Sequence, residues 1–76
     1  MNTLLDLYKR YVDGEYVIED VSRILSYITI PQLSAEYIKQ VENQVEWIRV
    51  MCDEKDQKEK VMKLLEDMIQ IARSRE

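Results

Sequence analysis

Residues 34–52 read SAEYIKQVENQVEWIRVMC, and the rhythm of their apolar positions decides the fold class. Ile38, Val41, Val45, Ile48 and Cys52 recur at alternating three- and four-residue steps, which places them on one face of an α-helix. Tyr37, Gln44 and Met51 flank that stripe. At 100° per residue, Trp47 and Val50 point nearly the opposite way, beside Asn43 and Glu46. A helix apolar on two sides is either sandwiched between neighbours or keeps one side for a partner.

The segment that follows, DEKDQKEK at residues 53–60, contains nothing apolar. Continuing the heptad through it would bury Lys55, Glu59 and Glu66. The apolar stripe instead restarts in a new phase with Val61, Leu64, Leu65, Met68, Ile71 and Ala72. That phase break predicts a helical hairpin, with Asp56 and Glu59 as a D-x-x-E cap for the last helix. The alternative, one helix from Ser34 to Arg73, would be about 60 Å long and would need a second chain to cover it.

Toward the N-terminus two shorter helices are expected. Leu4, Leu5, Tyr8, Tyr11 and Val12 form one apolar side, with Leu7 at its margin, Asn2 or Thr3 as cap and Asp6 in the first turn. Asp13-Gly14 supplies the stop, because glycine enters the left-handed region that ends helices. Val17, Ile18, Val21, Ile24, Leu25 and Ile28 define the second helix, closed before Ile30-Pro31. Ser34 caps the third. The expectation is an all-α single domain over 1–76, a small antiparallel four-helix bundle with helices at about 3–12, 17–28, 34–52 and 57–73.

Composition narrows the function. One Gly, one Pro and 34% charged residues suit helices. A chain of 76 residues buries only about 60–65% of its unfolded surface, so its core is small. Histidine is absent, which removes the usual general base and the commonest metal ligand. A single glycine allows no phosphate-cradling loop. No enzyme activity, cofactor or metal is expected. The lone Cys52 sits on the apolar stripe and reads as a buried, reduced thiol. No signal peptide or transmembrane run is seen in MNTLLDLYKRY, so a cytoplasmic protein is expected, without a membrane partner.

The formal charge is −4, which argues against a nucleic-acid partner. Residues 1–54 hold ten acids and five bases, whereas 55–76 hold five acids and six bases. The densest acidic run is DGEYVIED, with Asp13, Glu15, Glu19 and Asp20 and no base within it. Tyr16 and Trp47 offer aromatic anchors of the kind interface centres favour, and carboxylates steer a basic protein partner. Asp13, Glu15, Tyr16, Glu19, Asp20 and Trp47 are therefore the candidate partner-binding residues. Packing alone accounts for each singly: Tyr16 as a staple before helix 2, Trp47 under a neighbouring helix. Self-association as a homodimer through Trp47 and Val50 is the alternative function.

The run LLDLYKRYVDGEYVIEDVSRIL at residues 4–25 joins a short helix, a D-G-E turn and an acidic amphipathic helix. In this it resembles the start of small helical bacterial immunity proteins of the colicin D immunity type, including relatives acting against contact-dependent inhibition toxins. The likeness covers about the first third of the chain. Those relatives tend to carry Ser or Thr before the second helix, where this chain has Val17, so its second helix is expected to lack a side-chain cap. The resemblance implies a four-helix bundle whose acidic surface plugs the basic groove of an RNA-cleaving toxin domain. Asp13, Glu15, Glu19 and Asp20 match the acidic turn.

Overall fold

The computed structural model describes residues 2–75 and contains four helices: α1 (Asn2–Val12), α2 (Ile18–Tyr27), α3 (Ala35–Met51) and α4 (Glu54–Ser74). They form the expected all-α bundle, 34 × 24 × 19 Å, with no strand among the described residues. Contacts between side chains give three of the neighbouring pairs an antiparallel sense. Tyr8 meets Glu66 and Lys58 meets the Tyr11 carbonyl, so α1 runs against α4. Ser22 meets Glu46 while Ile28 lies beside Ala35, so α2 runs against α3. Gln57 reaches back to Arg49, so α3 runs against α4.

The core takes one stripe from each helix. Leu4, Leu7 and Tyr11 come from α1, Ile18, Val21 and Leu25 from α2, and Ile38, Val41, Val45 and Ile48 from α3. Val61, Leu65, Met68, Ile69 and Ala72 complete it from α4. Leu7, expected at the margin, is fully inside. Ile30 and Leu33 in the α2–α3 connection are also buried, although they belong to no periodic stripe. The six ion pairs among the described residues lie on exposed or partly exposed side chains, where water screens them. Each large aliphatic side chain removed from water contributes about 1.5–3 kcal/mol. Burial therefore sets the stability.

The helix ends follow local chemistry. At the end of α1, the Gly14 N–H donates to the Tyr11 carbonyl and the Glu15 N–H to the Arg10 carbonyl, with Gly14 at φ +86°. This is a Schellman stop, which needs a left-handed residue at its centre. Thr3 lies inside the helix rather than capping it, and the side chain of Asn2 lies outside the described residues. Because α1 begins at residue 2, Asp6 falls beyond the first turn and pairs instead with Arg10 at 2.9 Å.

Val17 precedes α2 without a side-chain cap, as expected. The reciprocal bond of a capping box is present, with Asp20 Oδ2 accepting from the Val17 N–H at 3.0 Å. Ser34 caps α3 by accepting from the Tyr37 N–H at 3.1 Å. The hairpin between α3 and α4 exists, but it is tighter than predicted. Only Cys52 and Asp53 separate the helices, both with extended backbone. Asp53, not Asp56, is the cap of α4, accepting from the Asp56 N–H at 3.0 Å. The sequence misplaces this start because residues 54–60 expose their side chains wholly or partly, leaving no apolar period to read. Gln57 seals the turn, its amide donating to the carbonyls of Arg49 and Cys52. Cys52, expected in the core, is half-buried in this turn, with Lys60 Nζ 3.5 Å from its sulfur.

Candidate functional site

The Schellman stop after α1 turns the chain so that Asp13 and Glu15 project into solvent and Tyr16 folds back over the core. Arg10 rises from α1 beside them. Its Nε pairs with Asp6, its Nη1 lies 3.4 Å from Glu15, and its Cζ sits 5.7 Å from the Tyr16 ring centre. DGEYVIED contains no base, but the fold inserts one. Asp6 above all, with Tyr16 and then Glu15, holds the Arg10 guanidinium above its ordinary pKa. Tyr16 is consequently half-buried beneath Arg10 and is not a freely projecting anchor.

Asp20 is committed to the start of α2. Beyond its bond to the Val17 N–H, its Oδ1 accepts from Arg23 at 2.8 Å. Glu19, one position earlier, is exposed and forms no ion pair among the described residues; Arg49 of α3 feels its charge while bonding directly to Glu46. Asp13 is likewise exposed and unpaired among the described residues.

Tertiary packing then adds what the sequence order conceals. The first turn of α4 comes alongside the α1–α2 turn, so Glu54 and Glu19 line one groove of about 380 Å³. Tyr11, Tyr16 and Val17 supply its apolar wall, and Val17 is 55% exposed. Lys58 also lines it but is drawn inward, donating to the Tyr11 carbonyl and standing 4.3 Å from the Tyr11 ring centre. Burial raises the Tyr11 hydroxyl pKa. Carboxylates above aromatic rings suit a guanidinium or ammonium, which can accept both a charged hydrogen bond and a ring face. Glu54 was missed in the sequence because it lies 35 residues beyond Glu19 (54 − 19) and only the bundle unites them. Asp53 and Asp56 flank it at the same helix end.

Trp47 does not join this corner. It lines a separate groove of about 440 Å³ between α3 and α4, with Ile48 and Leu64 as floor and Gln44, Glu59, Lys60 and Lys63 around it. It is 60% exposed, so no neighbouring helix covers it. Val50 and Met51 are exposed on the same side. The structure thus divides the six candidate residues between an acidic corner and a separate apolar face.

No helix is long and apolar enough to cross a membrane, and no three His, Cys, Asp or Glu side chains converge among the described residues. Comparisons with protein-family models, with curated proteins and with solved structures return no match to this chain.

Proposed function

We propose that this chain is a non-enzymatic, cytoplasmic protein-binding inhibitor that docks a basic protein partner at the corner between the α1–α2 turn and the start of α4. The observation that carries the reading is the meeting of Glu19 and Glu54 in one aromatic-walled groove, with Asp13 open beside it. A basic side chain entering there gains two carboxylate acceptors and displaces little besides water. The exposed acids outside the groove attract such a partner from a distance, which speeds encounter more than it tightens the complex. The likeness of residues 4–25 to bacterial immunity proteins supports the inhibitor form of this reading, in which the partner is a toxin domain with a basic substrate groove.

The test compares wild type with Glu19→Gln/Glu54→Gln as immobilised baits in lysate of the source cell, at low and high salt. A basic protein retained by wild type at low salt, released at high salt and absent from the variant is the expected result. With that protein purified, titration should show the double variant weakened more than tenfold, since each charged hydrogen bond contributes about 1.5–3 kcal/mol. Equal retention on both baits would overturn the proposal.

A further inference from the structure

Over residues 40–51 the outward side of α3 carries no charge. Gln40, Asn43, Gln44, Trp47, Val50 and Met51 follow one another at helical spacing and all are exposed. None is ionisable, in a chain of which 34% is charged. The charged residues of the same stretch, Glu42, Glu46 and Arg49, are turned aside, where Glu46 bonds to Ser22 of α2 and to Arg49. Loss of charge together with exposed Trp and Met is the composition of an interface centre rather than of a solvated face. The stripe runs about 18 Å along the helix.

We propose that this face binds a second copy of the chain, forming a two-fold dimer centred on Trp47. Self-complementarity argues for that occupant. A two-fold contact requires one surface to offer both the projection and the recess. Trp47, Val50 and Met51 project from the helix, 60%, 69% and 64% exposed, and Trp47 borders the trough floored by Ile48 and Leu64. The rim carries both signs, and with Lys63 paired to Asp67 within the chain, Glu59 and Lys60 are the charges left to match across two copies. The exposed acids Asp13, Glu15 and Glu19 belong instead to the α1–α2 turn and the start of α2. An interface of standard size covers about 800 Å² per partner, about one sixth of the 4953 Å² surface. The dimer does not depend on the acidic-corner reading and leaves Glu19 and Glu54 open.

Sedimentation equilibrium of the full chain over a concentration series, at low and high salt, tests the proposal. Wild type should pass from monomer to dimer at both salts, because apolar burial rather than charge drives it. Trp47→Glu should raise the dimer dissociation constant about thirtyfold or more, and Val50→Glu should raise it in the same direction. Both sites are exposed, so circular dichroism and thermal melting should show both variants folded. A wild type that stays monomeric throughout overturns the proposal, as does a dimer equally tight in both variants. Failure of the Glu19/Glu54 variant to lose a basic partner would leave this result untouched.

Discussion

Among the described residues Ser22 is the one buried polar side chain, and it is tolerated because its hydroxyl donates to Glu46 Oε1 at 2.7 Å. Arg49 donates to the other oxygen of Glu46 at 3.0 Å. Arg49 first, and then Ser22, hold the Glu46 carboxyl below the ordinary glutamate range. A carboxyl whose folded-state pKa is depressed stabilises the fold above its unfolded pKa, and that stabilisation is lost as pH falls through the folded value. Wild type should therefore lose thermal stability faster than Glu46→Gln as the solution is taken from neutral to acid. Melting curves at a series of pH values measure this, and parallel acid limbs for the two proteins would refute it. Some of these single-residue roles are legible in the chain. Gly14 and Ser34 declare a helix stop and a helix cap by residue type alone. The Ser22–Glu46 pair is not legible, because 24 residues separate two side chains that only the α2–α3 packing brings together.

Among the elements, α4 shows how a helix can begin before its apolar pattern does. Its first two turns are held by the Asp53 cap, by Glu54 and Asp56 in the first turn, and by the Gln57 amide that closes the end of α3. Asp53→Ala should cost about 1 kcal/mol, the usual worth of an N-cap. Asp56→Ala should cost only a few tenths, roughly the worth of a first-turn charge. Urea unfolding of the two variants separates them, and a larger loss for Asp56→Ala would mean that the cap sits at residue 56 after all. The cap also has a functional consequence. By starting α4 at Glu54 rather than three residues later, it holds Glu54 in a helical turn beside Glu19 instead of leaving it in a loop.

At the scale of the whole molecule, a small core makes each buried side chain count. A domain of this length is expected to be stable by about 4–11 kcal/mol, at about 0.05–0.15 kcal/mol per residue. Leu65 is fully buried where α4 meets the core, and Leu65→Ala should cost about 2–5 kcal/mol. That is a large part of the total, so the variant should unfold at markedly lower urea. Leu64→Ala, at a half-buried position one residue earlier, should lose much less. Comparable losses at the two positions would show that the core is not centred where the structure puts it. The same smallness explains the exposed face of α3. The other three helices cover one stripe of α3, and no further element among the described residues covers Trp47, Val50 and Met51.

The sequence by itself determined the all-α class, four helices in order, the hairpin after Cys52 and most of the core, because each rests on local periodicity and residue type. Helix periodicity repeats every 3.6 residues and is visible within a single segment. Tertiary structure alone decided the meeting of Glu19 with Glu54, the pairing of Ser22 with Glu46 and the exposure of Trp47. Each of these depends on which helix faces lie against one another, and an isolated amphipathic pattern does not specify its neighbour. Trp47 shows the division most plainly. Its place opposite the main stripe can be read from the spacing, but whether another helix covers it is a property of the packed bundle.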